Sequence, residues 1–287
     1  TGSNAKMLSK EVATTLGGRF FIYDAYPYSF KEYLAAQHVE LKEHWEYDTI
    51  QRSEVKRHLN EYLYYGGLPE IHSFKNKRAM LSSLYQKIYL GDICARNNIK
   101  NDRVLNILIK KMAESVKQPL SYNRLKNVIV ATGSPISVPT TIDYVGYAAD
   151  SWLILPMENE VGKLTEKEMQ KKYYFVDNGL LNLFLMNSET SLLENMVAVE
   201  LCRRFGKKNV FFLNAEKEID FIVPDEKLAI QVSYSIKDET TYNREVPPLA
   251  KYSKLHEDWK CLLITYDEEG TEEGITVVPV WKWLMKV

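Results

Sequence analysis

The sequence has no run of about 18 apolar residues, the length a helix needs to cross a bilayer, and so no membrane partner is expected. It has only three cysteines, Cys94, Cys202 and Cys261, widely spaced and without a Cys-x-x-Cys pair, which argues against both a disulfide framework and a zinc site. They read as small buried residues of a reducing compartment, and a cytoplasmic location is expected. An excess of either charge is also missing. With 37 Lys+Arg against 38 Asp+Glu, the formal charge of −1 excludes coating of nucleic acid by bulk charge but leaves a local basic face open. Finally, no Gly-x-x-x-x-Gly-Lys-Ser/Thr occurs, so the loop whose backbone N–H groups cradle phosphates is absent and this sequence alone is not expected to bind or hydrolyse ATP. The chain opens on Thr1 without a leader pattern and reads as beginning within a longer polypeptide.

What is present fits a protein of two or three domains, since 287 residues exceed the usual size of one. The most informative stretch runs from Glu218 to Tyr234. β-Branched and aromatic residues at 219–223 and 228–234 flank Pro224-Asp225-Glu226-Lys227, which predicts two strands joined by a tight turn. Asp220 near the start of the first strand and Gln231-Val232-Ser233 in the second resemble the layout of a PD-(D/E)XK nuclease core, in which an Asp and an acidic-x-Lys hold a divalent metal against a phosphate. A hard cation such as Mg²⁺ needs oxygen ligands, preferably anionic. Asp220 and, from an upstream helix, Glu194 are the candidate metal ligands and, with Gln231 and Ser233, the candidate catalytic set. Gln231 offers only a neutral carbonyl, and Ser233 cannot replace a lysine that stabilises developing phosphate charge. The alternative is that Glu218 and Asp220 sit at a solvated hairpin end without a role.

Taken in order, the chain begins with Thr1-Gly2-Ser3-Asn4-Ala5, a helical 6–16 and Gly17-Gly18-Arg19. Ser29 and Glu32 then form the pattern of a capping box at the start of a helix. These residues, with Tyr26-Pro27-Tyr28-Ser29-Phe30-Lys31-Glu32-Tyr33-Leu34, Gly66-Gly67-Leu68-Pro69-Glu70, Asp177-Asn178-Gly179-Leu180 and Leu193-Glu194-Asn195, resemble a large prokaryotic family of AAA-type ATPases with a C-terminal domain of unknown function. The resemblance implies that Asn4 corresponds to a sensor residue beside the γ-phosphate and that Arg19 senses the nucleotide. It also implies that ATP and Mg²⁺ are bound only by a full-length protein. Two strand ends, 173–177 and 262–268, imitate a Walker B strand but follow no phosphate loop, and read as ordinary strands.

The expected organisation is an ATPase remnant at 1–45, a helical linker at 46–103, a unit at 104–180 and a last domain at 181–287. Val55, Leu59, Tyr62 and Leu63 recur at helical spacing before the Gly66-Gly67 break, and Asp92 and Arg96 stand four apart as a surface ion pair. Within 104–180 the pattern is three helices and then two apolar strands around a loop rich in Lys and Glu, the parts of a winged helix-turn-helix. Arg124 and Lys126, with Lys171 and Lys172 in the wing, are candidate phosphate contacts, as is Arg244 further on. The third helix, 138–150, has no Arg or Lys and two Asp, which suits protein or interdomain packing better than base readout. In the last domain, helix, three strands, helix and strand follow the order of a restriction-endonuclease core.

The fold class expected is therefore α/β multidomain: a helical region with a winged helix-turn-helix, then a restriction-endonuclease-like domain with a mixed sheet. The function expected is a regulatory or binding module of an AAA-type ATPase, associated with nucleic acid, carrying a degenerate nuclease-like domain. The alternative is a metal-dependent DNA endonuclease with an altered Gln-x-Ser site. DNA, a partner protein or a second copy of the chain are the candidate partners, and Mg²⁺ is the candidate ion.

Overall fold

A computed structural model of the protein describes residues 23–215 and 218–286. The helical part opens with α1 (Phe30–Ala36), started by the expected capping box: the Glu32 N–H donates to Ser29 Oγ at 3.2 Å and the Ser29 N–H to Glu32 Oε2 at 2.7 Å. Helix α2 (Thr49–Tyr65) is capped by Asp48, buries Val55, Leu59, Tyr62 and Leu63, and stops at Gly66, whose φ of 74° favours glycine. Helix α3 (Lys77–Gln86) runs into a π-helical stretch, Lys87–Ala95, that carries the Asp92–Arg96 ion pair at 2.8 Å.

Next come α4 (Asp102–Glu114), β1 (Leu120–Ser121), α5 (Tyr122–Ala131), α6 (Val138–Asp150), β2 (Ile154–Met157), α7 (Leu164–Met169) and β3 (Gln170–Phe175). Ser121 and Ser137 cap α5 and α6 through their side chains. The three strands form an antiparallel sheet in the order β1-β3-β2. Two residues of β1 are too few to show alternation, which hid that strand in the sequence, and the Lys/Glu-rich connection expected as a loop holds α7.

Helices α8 (Asn178–Asn182) and α9 (Glu189–Phe205) lead into β4 (Phe211–Asn214), β5 (Glu218–Val223), β6 (Leu228–Ser233), α10 (Glu239–Leu255), β7 (Lys260–Thr265), β8 (Gly270–Glu272), β9 (Ile275–Pro279) and α11 (Val280–Met285). The six strands form one mixed sheet, β4-β5-β6-β7-β9-β8, with β6, β7 and β9 parallel and the rest antiparallel. Helix α10 makes the crossover between the parallel strands β6 and β7. Phe221, Val223, Ile230, Val232, Leu262 and Ile264 join the large core, whereas Ala229, Leu263 and Val277 pack with Val246, Leu249 and Ala250 of α10. The protein is thus α/β: a helical region followed by a six-stranded mixed sheet with helices.

The large core runs without a break from Phe30 to Leu284. The boundary expected after residue 180 therefore falls inside shared packing, and polar residues stitch the same seam. Asp177 Oδ1 accepts from the Gly179 N–H at 2.8 Å as cap of α8, while Oδ2 accepts from the Gly67 N–H at 2.7 Å. Asn178 Nδ2 donates to the carbonyls of Leu63 and Leu192. Both Walker B look-alikes thus end in structural roles, since Asp267 accepts from Trp281 Nε1 at 3.0 Å and pairs with Lys56 at 2.5 Å.

Candidate functional site

The site is built where β3, α9 and the open end of the large sheet meet. Successive side chains of a strand alternate in direction, so Lys172 and Tyr174 of β3 share one face. Asn195 fixes α9 against that strand: its Oδ1 accepts from the Phe175 N–H at 2.7 Å and its Nδ2 donates to the Phe175 carbonyl at 2.9 Å. The neighbouring Glu194 is thereby held over the strand. Tyr174 OH donates to Glu194 Oε1 at 2.8 Å, and Lys172 Nζ lies 3.5 Å from the same oxygen.

Lys172 is the centre of the cluster. Its ammonium also reaches Asp220 Oδ1 at 3.3 Å and Glu218 Oε1 at 2.9 Å, and its side chain has no exposed surface. Burial works against the charged amine, but Glu194, Asp220 and Glu218 outweigh that cost and hold its pKa above the ordinary lysine value. Burial and the nearby Asp220 charge push Glu194 well above the usual carboxylate range, with Lys172 and Tyr174 pulling the other way. Glu245 of α10 is raised by burial and by Asp220.

Around this cluster opens a cavity of about 430 Å³ whose lining includes Lys117, Glu194, Asp220, Gln231, Tyr234 and Arg244. Glu194 and Asp220, expected to act together, do share it. Gln231 Nε2 donates to Glu245 Oε2 at 2.6 Å and its Oε1 accepts from the Asp220 N–H at 3.3 Å. Ser233 also lines the cavity, though its hydroxyl donates to the Ser235 carbonyl at 3.0 Å. Arg244, 71% exposed in its side chain, donates from Nε and from an NH₂ group to Glu245 Oε1. Lys117 reaches in from the connection after α4 and donates to Thr190 Oγ1 at 3.2 Å.

Much of the expected Mg²⁺ donor set is engaged by protein groups. Asp220 Oδ1 faces the ammonium, its Oδ2 accepts from the Val232 N–H at 2.9 Å, and the Gln231 carbonyl is occupied by the Asp220 N–H. A divalent ion would compete with Lys172 for Asp220 Oδ1, Glu194 Oε1 and Glu218 Oε1. Among the described residues no group of three or more His, Cys, Asp or Glu side chains is arranged to hold a metal ion.

The remaining expected site residues are placed apart from the cavity or engaged elsewhere. Arg124 is exposed and Lys126 half-buried on α5. Lys171 pairs with Glu158 at 2.9 Å and Glu168 at 3.3 Å. The expectation that Lys172 meets phosphate from the wing surface is corrected by its complete burial among carboxylates. Asn4 and Arg19 lie outside the described residues. Glu200, six positions after Glu194, points elsewhere and pairs with Arg203 and Arg204. Sequence reasoning missed Lys172 as the site's amine, along with Glu245, Lys117 and Tyr234. The one available signal was a lysine inside an otherwise aromatic strand, in step with Tyr174.

No helix of the described residues is long and apolar enough to cross a membrane. Residues 56–191 match a domain of unknown function, DUF8612. The chain is 32% identical to the uncharacterized protein MJ1544 of Methanocaldococcus jannaschii, the match covering 99% of the chain and 67% of that protein. It is also 32% identical to an uncharacterized protein of Haemophilus influenzae, covering 100% of the chain and 70% of the relative. No solved structure matches it.

Proposed function

The chain belongs to the prokaryotic family of these two proteins, and we propose that it is a nucleic-acid-associated binding module of an AAA-type ATPase that does not itself cut. In this reading the unit α4-β1-α5-α6-β2-β3 is a winged helix-turn-helix. The six-stranded unit is a PD-(D/E)XK nuclease scaffold whose metal seat is filled by a lysine amine. The order helix, strand, two helices and two antiparallel strands, with the short helix α7 between those strands, supports the first assignment. A helix followed by an antiparallel hairpin and a parallel crossover supports the second. The likeness of residues 1–5, 18–19 and 26–34 to the end of an ATPase domain supports the link to nucleotide, with Asn4 and Arg19 as its sensing residues in a longer chain.

The observation that carries the reading is the position of Lys172. An amine held 2.9 Å from Glu218, 3.3 Å from Asp220 and 3.5 Å from Glu194 supplies the positive charge that a metal would otherwise bring to these carboxylates. Such a cation is permanent and has no exchangeable water to activate, so the scaffold keeps its shape without the hydrolytic chemistry.

A second reading, Mg²⁺-dependent cleavage, is favoured by the shared cavity of Glu194, Asp220 and Gln231. Incubation with supercoiled plasmid in Mg²⁺ and in Mn²⁺ separates the two. The binding-module reading expects intact plasmid together with retention of DNA on a gel that weakens steeply as salt rises. Nicking that disappears in Asp220→Ala would establish the enzyme instead.

A further inference from the structure

We propose that the cavity receives the terminal nucleotide of a single strand of nucleic acid, with its base stacked on Tyr234 and its phosphate held by Arg244 and Lys117. The inference rests on the nucleic-acid reading above and names the form of nucleic acid that the site takes.

Four observations converge on it. Tyr234 lines the cavity and is backed by the ring of Tyr266, with centroids 4.7 Å apart and planes 17° from parallel. The Tyr266 N–H also donates to the Tyr234 carbonyl at 3.3 Å, so the pair is a fixed platform. Aromatic platforms beside cations are the usual means of holding single strands, because every base has a π-face. Secondly, Arg244 and Lys117 keep donors to spare. A guanidinium has five N–H groups, of which Glu245 takes two, and an ammonium has three, of which Thr190 takes one.

Thirdly, a volume of about 430 Å³ is on the scale of one small-molecule ligand, enough for one nucleotide and not for a duplex. The surfaces that would grip a duplex are poor by comparison. The third helix, α6, carries no cation, Lys171 is tied to two glutamates and Lys172 is buried. Fourthly, the acidic floor carries a cation of its own, because Lys172 lies against Glu194, Glu218 and Asp220 and offsets part of their charge, beside the Arg244 and Lys117 of the cavity lining.

Fluorescence anisotropy with the intact chain tests this. The probes are oligo-dT and oligo-rU of twelve residues, labelled at one end, and a blunt duplex of the same length. Single strands are expected to bind about tenfold or more tightly than the duplex, and the tighter of the two identifies the sugar. Tyr234→Ala is expected to weaken the strand by about 5- to 100-fold, the loss typical of one stacked base, while Tyr234→Phe retains affinity. Arg244→Gln alters an exposed side chain and is expected to lower the salt slope by about one.

Duplex bound as well as single strands, or Tyr234→Ala and Arg244→Gln both binding like the parent, would overturn this inference and leave the nucleic-acid reading standing. Failure of every oligonucleotide to bind at low salt would overturn that reading as well.

Discussion

Replacing Lys172 with methionine keeps most of the side chain's volume and removes only its charge and donors. Glu194 and Asp220, at 4% and 6% exposure, then lose the cation on which their burial depends. Glu218, 43% exposed in its side chain, can turn to water and adds little. Breaking a buried pair from one side costs about 3–5 kcal/mol, because the stranded charge stays buried. For a protein of this size each kcal/mol moves the melting temperature by about 2–4 °C, so a fall of roughly 6–20 °C is expected at pH 8. Thermal melts of the parent and Lys172→Met at pH 8 and pH 5 measure it. The gap should narrow at pH 5, where Glu194, its pKa raised by burial, takes up a proton. A variant that melts with the parent at pH 8, or a gap that widens in acid, would refute the buried-cage reading. Those results would suit a lysine displayed on the wing surface.

Two further outcomes follow from neighbouring features. Glu194 has a folded-state pKa raised from about 4.5 to about 8, so its contribution to stability is fully present below about 4.5 and is lost as pH rises through about 8. Glu194→Gln should therefore flatten the decline in melting temperature between pH 5 and pH 8.5, and an equally steep decline in that variant would count against the assignment. Gly67→Ala puts a methyl group into the Tyr28 carbonyl, which already accepts from Tyr62 OH at 2.7 Å. A loss of about 3 kcal/mol or more is expected by chemical denaturation, and a near-neutral effect would show that the contact of Gly67 with the segment before α1 is looser than described.

Much of the architecture was legible because it rests on local chemistry. Ser29 with Glu32, and Gly66, mark helix ends by their own hydrogen-bonding or conformational needs. The β-branched and aromatic residues of Ile219–Val223 and Leu228–Ser233 around a turn mark a hairpin, and Asp220 and Glu194, named as candidates together, line one cavity. What was not legible depends on distant partners. Helix α10 runs through Pro247 and Pro248, which disrupt a helical pattern, yet Asp238 caps it upstream and Val246, Leu249 and Ala250 bury one face. Helix α11 follows Pro279 directly and is stabilised by burial of Trp281 and Trp283, which six residues of sequence do not announce. The amine missing at Ser233 could not be located by spacing, because Lys172 lies on another strand, 48 residues before Asp220. Its place is set by the antiparallel pairing of β3 with β2 and by the hold of Asn195 on Phe175.

The claim that Lys172 serves as the built-in cation of this carboxylate site is tested most directly by titrating the protein with Mn²⁺ and following free ion by electron paramagnetic resonance. The account predicts no stoichiometric site at submillimolar Mn²⁺, in the parent or in Asp220→Asn. One ion bound tightly per chain, and lost in Asp220→Asn, would contradict it.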